Sequence, residues 1–398
     1  MPGGIVLTAV WALQALAASP KRDQQWELRF LEDYPLAVCG DGSPAAYYYR
    51  PGGPGARRWL VFLQGGMWCW DVHSCSSRPL RELTSKLLPR EGQRLRGWAL
   101  KMRGIFDLER SSLAGFNTAY VVSCSSDAFL GDTSPSLYTT GLRTHYRGKR
   151  IVDAVFGDLQ RRTGLGERAD DLVVFGGCSS GARGALIHLD RVAASLVGRA
   201  RVVGLLDSPL WVPLKPYGPT VTPFEEQVKE AAIFYTAPEL FSEECLQLHP
   251  GDLRWKCIFP AYRLPLVHTP YVLSHSQYDK FAINWNVHSS WWLPKSKVNE
   301  SLQAWAEGYR HKVIDYIQPI LSANSSSAVF SSACYFHCTT MFNLVFWVRV
   351  GGFTLLELLD RWLSAPGLRA ELLRDDCRGF DCGAPGGFAA LVPAVLNL

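Results

Sequence analysis

Leu172-Val173-Val174-Phe175-Gly176-Gly177-Cys178-Ser179-Ser180-Gly181 is the stretch that decides the fold of this chain. Residues 172–175 are a short apolar run of the kind that forms a buried strand, and residues 182–194 follow with a helical apolar pattern. Between them, Gly177-Cys178-Ser179-Ser180-Gly181 fits G-x-S-x-G, in which a serine stands on a sharp strand-to-helix turn. The apex of such a turn has strained backbone angles, so small residues must flank it two positions away on either side. The helix that follows directs its first amides at negative charge developing beside the serine. The pentapeptide alone is common by chance. Preceded by a strand and followed by a helix, it predicts a nucleophile elbow with Ser179 at the apex. Cys178 comes before the apex and reads as a small buried residue or half of a disulfide rather than as a thiol nucleophile.

Working outward, apolar runs at 59–63, 118–123, 202–206, 269–274 and 326–332 predict further strands, and 151–160 predicts a helix. Strands separated by helices imply a mostly parallel sheet wound by crossovers, an α/β architecture of the α/β-hydrolase type. Residues 209–265 are poor in strand pattern and hold their own cysteine pair, Cys245 and Cys257, so they read as a cap inserted over the sheet. The whole of 19–398 then forms one catalytic domain. The cluster from Arg143 to Arg150 reads as the start of a solvated helix. Residues 341–363 contain Arg349, Glu357, Asp360 and Arg361, too many charges for a membrane span, and predict an amphipathic helical segment broken at Gly351-Gly352.

Composition limits the alternatives. A hydrophobic share of 47% and a charged share of 19% suit a globular chain with a large core. Aromatic residues reach 12%, with 14 Trp, which fits a well-filled core better than an apolar cleft. The net charge is +5 and the basic residues are scattered, which excludes a nucleic-acid footprint. Residues 5–16 are apolar, overlap the small-x-small triplet Ala15-Leu16-Ala17 and precede Lys21 and Arg22. Too short to span a bilayer, this segment reads as a cleaved signal peptide, residues 1–18, with a buried first strand as the alternative. Eleven cysteines fit an oxidising compartment, and Asn299 and Asn324 open glycosylation sequons, so a secreted protein is expected, without stable membrane insertion. Cys377 and Cys382 lie close in sequence. Cys334, His337 and Cys338 also cluster, but no second Cys/His pair stands at zinc-finger spacing, so neither metal nor cofactor is expected.

A nucleophilic serine needs a base, and the base needs an orienting carboxylate, in the chain order Ser, acid, His on this fold. His337 follows the last of these strands and leads as the base, with His275 second. Asp279 follows the preceding strand and leads as the acid, and Asp207 reads as a structural or substrate-side carboxylate. For the oxyanion hole, one amide belongs to Ser180. Others come from the strand exit Leu63-Gln64-Gly65-Gly66-Met67-Trp68, where paired glycines let the backbone approach a substrate.

These residues resemble the pectin acetylesterase/Notum family of α/β-hydrolases. The similarity runs from Cys39-Gly40-Asp41-Gly42-Ser43-Pro44 to Cys382. It passes through the block from Trp59 to Cys69 with Cys75, then Cys124-Ser125-Ser126-Asp127 and Gly131-Asp132. It continues through the elbow, Asp207-Ser208, the block from Trp255 to Pro260, Tyr278-Asp279 and the block from Ser332 to Cys338. The resemblance implies Ser179, Asp279 and His337 as the triad, and backbone donors at Gly66, Met67 and Ser180. It implies a substrate pocket at Trp68, Asp207 and Phe259, and disulfides Cys39–Cys124, Cys69–Cys75 and Cys245–Cys257. It departs at Met67, where the family usually has a bulky aromatic or glycine, and at Ser180-Gly181-Ala182, where Ala-Gly-Gly is common. The implied substrates are acetylated polysaccharide, as in the pectin branch, or a fatty-acylated protein, as in the Notum branch; features of both branches are present.

Overall fold

The computed structural model describes residues 26–89, 103–136 (backbone only at 134–136), 144–288, 290, 293, 298–365 and 367–379. The expected leader, Arg143 and Cys382 lie outside them. Among the described residues, eleven strands appear in chain order: β1 (Glu27–Phe30), β2 (Ala46–Arg50), β3 (Arg58–Leu63), β4 (Asn117–Val121), β5 (Thr133–Ser136), β6 (Thr144–Tyr146), β7 (Leu172–Cys178), β8 (Arg201–Asp207), β9 (Tyr271–Ser274), β10 (Ala328–Ser331) and β11 (Glu371–Arg374). Nine of them form one sheet in the order β1-β2-β4-β3-β7-β8-β9-β10-β11, while β5 and β6 pair separately. From β4 to β11 every neighbour is parallel; β2 alone runs against its neighbours. β3, β7 and β8 are apolar and buried along almost their whole length, as strands covered on both faces must be.

The covering helices are α1 (Val72–Ser76), α2 (Gly148–Thr163), α3 (Ser180–Ser195), α4 (Phe224–Phe234), α5 (Glu243–Leu248), α6 (Pro260–Arg263), α7 (Lys280–His288), α8 (Glu300–Ala323) and α9 (Leu355–Ser364). Among the described residues, none is long and apolar enough to cross a membrane. α4, α5 and α6, with short 3-10 turns between them, occupy the chain between β8 and β9, and the Cys245–Cys257 disulfide staples this insertion.

The sheet order locates the site. After β3 the chain adds β4 on one side, and β7 then returns to the other side of β3. Loops leaving the carboxyl ends of β3 and β7 therefore diverge and open a crevice, the usual ligand position in an open α/β sheet. Leu63 pairs with Gly177, so the Gly65-Gly66 loop and the Ser179 elbow leave the sheet side by side.

Three sequence expectations need correcting. The cluster at 143–150 is not one helix start: residues 144–146 belong to β6, and α2 begins at Gly148 with Lys149 buried. Arg147 and Arg150 instead flank the Asp132 carboxylate. Residues 341–363 are helical only after the glycines; 3-10 turns precede Gly351 and Gly352, both at positive φ, and α9 follows. Asn324 is a C-cap rather than a glycan acceptor. It is 7% exposed and its Nδ2 donates to the carbonyls of Val267 and His268 at 3.0 and 3.2 Å, which a glycan on that nitrogen would break. Asn299, by contrast, is exposed and caps α8 through its side-chain oxygen, which accepts the Leu302 N–H.

Candidate active site

Ser179 has φ 57° and ψ −123°, a combination a side chain adopts only under constraint from its surroundings. Packing explains both flanking glycines: a Cβ on Gly177 would lie 2.5 Å from the Gly181 carbonyl carbon, and one on Gly181 would lie 2.1 Å from the Leu63 oxygen. The turn is fastened to the next strand as well, since the Ser179 N–H donates to the Asp207 carbonyl at 2.9 Å. α3 begins at Ser180, directing its first amides toward the space in front of the serine.

His337 and Asp279, far apart in sequence, meet here. His337 Nδ1 lies 2.7 Å from Asp279 Oδ2, and both side chains are almost fully buried. Burial pushes the Asp279 pKa up, but the His337 ring, His275 and the Ala282 N–H more than offset it, and the net shift is downward. Asp279 is therefore a carboxylate at neutral pH, which fixes the proton of His337 on Nδ1 and leaves Nε2 without one. His275, the second candidate, lies within electrostatic reach of the pair, and burial pushes its pKa down to about 4.

The resemblance implied three disulfides, Cys39–Cys124, Cys69–Cys75 and Cys245–Cys257; all three are present. A fourth, Cys178–Cys338, was not assigned from sequence. Its half-cystines immediately precede Ser179 and follow His337, so the bond holds the Ser179 elbow and the His337 loop together. It also takes up the Cys338 sulfur weighed as a zinc ligand. Cys334 is a buried thiol whose pKa burial pushes up to about 11.

The glycine loop is held from behind. The largely buried Arg78 donates from Nη2 to the Gly66 carbonyl at 2.6 Å and from Nε to the Ser126 hydroxyl at 3.0 Å, and pairs with Glu82. In a trans peptide the next N–H points opposite to that carbonyl, so Arg78 aims the Met67 amide away from itself. Met67 sits at φ 63°, consistent with a loop constrained for this purpose. The Gly66 N–H has a partner already: it donates to the Ser180 hydroxyl at 3.0 Å. This contact arises from the departure at Ser180.

Of the expected pocket residues, Trp68 is 4% exposed and lies 5.2 Å from Trp211, ring to ring. The rings continue through Phe224 and Phe281 to His337, an aromatic wall from the glycine loop to the base. Phe259 lies behind this wall, fully buried against Trp211 and Trp255. Asp207 does not face a pocket either. Its Oδ2 accepts the N–H and hydroxyl of Thr340, and its Oδ1 accepts the Ser208 hydroxyl, whose oxygen in turn receives the Cys338 N–H. It organises the loop that carries His337.

The strand order and the strained elbow define the α/β-hydrolase class. Comparison with known proteins agrees: the structure matches that described as the Wnt deacylase Notum from Drosophila, with a TM-score of 0.78, 24% identity, and coverage of 91% of this chain and 99% of that one. The Pectinacetylesterase family model matches residues 19–377. The chain is 27% identical to pectin acetylesterase 11 of Arabidopsis thaliana, over 76% of each chain. It is 26% identical to palmitoleoyl-protein carboxylesterase NOTUM of Homo sapiens, over 82% of this chain and 64% of that one. The chain belongs to the pectinacetylesterase family, and so to the O-acyl ester hydrolases.

Proposed function

We propose that this protein is a secreted serine carboxylesterase that removes O-linked acyl groups through Ser179, His337 and Asp279. The observation that carries the reading is the 2.7 Å His337–Asp279 contact on a loop bonded, through Cys178–Cys338, to the elbow of Ser179. His337 takes the Ser179 proton as the hydroxyl oxygen attacks the ester carbonyl. The amides of Met67 and Ser180 hold the oxyanion, joined by that of Gly66 when the Ser180 hydroxyl releases it. The imidazolium, stabilised by Asp279, protonates the leaving alcohol. Water, deprotonated by His337, then attacks the acyl-serine and frees the acid. The relatives' names frame the substrate as an acetylated polysaccharide or a fatty-acylated protein. The disulfides support an oxidising, extracellular setting.

Ser179→Ala should abolish hydrolysis of p-nitrophenyl acetate and labelling by a fluorophosphonate probe without altering the fold. Substantial activity in that variant would remove Ser179 from the mechanism. A wild-type protein that neither hydrolyses nor labels would instead be a binding relative of the family.

A further inference from the structure

Arg183 stands one helical turn after the nucleophile, and its N–H donates to the Ser179 carbonyl at 3.0 Å. Positions i and i+4 share a helix face, and side chains lean toward the helix N-terminus, so this side chain leans back toward Ser179. The guanidinium lies 3.8 Å above the centre of the Trp211 ring and 5.9 Å from that of Trp68, whose neighbour is Met67. Arg183 is 3% exposed, and its Nε, Nη1 and Nη2 are all buried with no hydrogen-bond partner. Among the described arginines no other has this deficit at all three nitrogens. Burial pushes its pKa down to about 9, partly offset by the Asp279 charge, so it remains a cation at neutral pH.

A buried cation with five unused N–H groups is costly, and the fold retains it at the reacting end of α3. An aromatic face supplies part of the missing attraction, but none of the hydrogen bonds. The group that supplies both is planar, anionic and bidentate. We propose that Arg183 is a specificity-determining residue that receives a carboxylate carried by the substrate, an inference that rests on the esterase reading above. Trp211 and Trp68 cover the guanidinium, so the carboxylate reaches it by displacing one of these rings. The same cation disfavours a fatty acyl chain along this wall, because such a chain would seal a charge in hydrocarbon. The carboxylate belongs either to the acyl group or to the alcohol, and the test has an arm for each.

In the first arm, hydrolysis of mono-p-nitrophenyl glutarate is compared with that of a neutral branched p-nitrophenyl ester of the same size. In the second, an O-acetylated methyl uronoside is compared with its neutral amide. The charged member of one pair should be preferred in kcat/KM by roughly ten- to a hundredfold, the range of a charge-assisted hydrogen bond. Arg183→Leu should erase that preference and improve the neutral ester, while Arg183→Lys keeps part of it. No preference in either arm, or one that survives in Arg183→Leu, overturns the inference. A binding readout separates it from the hydrolase reading: for at least one of the pairs glutarate/glutaramide and methyl uronoside/its neutral amide, only the charged member should raise the unfolding temperature of the Ser179→Ala variant saturably. If no ester is hydrolysed, the esterase reading falls and this comparison alone decides the role of Arg183. It decides likewise if Arg183→Leu fails to fold.

Discussion

The Asp207 carboxylate accepts both the N–H and the hydroxyl of Thr340, each at 2.6 Å, and so one buried acid holds the loop that begins at His337. Asp207→Asn keeps the shape but replaces one acceptor oxygen by an N–H₂ donor, so either the Thr340 N–H loses its acceptor or the Ser208 hydroxyl must reverse its hydrogen bond. With the loop less well held, kcat should fall about tenfold or more while KM changes little, because the misplacement acts at the proton transfer. Steady-state kinetics on p-nitrophenyl acetate tests this; a rise in KM at unchanged kcat would move Asp207 to substrate binding.

The Ser180 hydroxyl accepts the Gly66 N–H at 3.0 Å, so one of the proposed oxyanion donors is engaged before substrate arrives. Ser180→Ala should release it and raise kcat several-fold, within the worth of one oxyanion donor. A fall in kcat would show that the hydroxyl itself donates to the oxyanion.

Stability should depend on pH through two buried histidines. Burial holds His275 down to about 4 and His188 down to about 3. Below their ordinary value of 6.5 the unfolded chain binds these protons while the folded chain does not. Stability should therefore decline as pH falls from about 6.5 toward 4, by about 1.4 kcal/mol per pH unit for each histidine. His275→Leu should flatten that slope by about one proton in chemical denaturation measured across this range. An unchanged slope would mean that the ring takes up its proton in the native state.

Replacing both Cys178 and Cys338 by alanine should lower the unfolding temperature markedly. The bond spans 160 residues, and the chain-entropy model assigns a loop of that length about 5 kcal/mol. Calorimetry of the double variant measures it; an unaltered transition would mean the bond adds nothing to the packed state.

Much of the fold was legible because its strongest signals are local. β3, β7 and β8 are short apolar runs between turn residues, and the elbow carries its own motif. β2 was not legible: Tyr47, Tyr48 and Tyr49 are all buried, so polar alternation never marks the strand. β11 gives a weak signal because a polar residue stands at each end of only four. Chain order led to Asp279 and His337, since each follows its own strand. Nothing in sequence spacing links Cys178 to Cys338 or places Arg183 against Trp211, because only packing brings them together.

The Cys178–Cys338 bond also makes the segment between its ends a covalent ring. The whole insertion between β8 and β9, with Asp279 beyond it, lies within that ring. A protease cutting once inside it leaves one molecule under non-reducing conditions, with Ser179 and His337 still tethered at the junction. Such a clipped protein would migrate as intact on a non-reducing gel and as fragments after reduction.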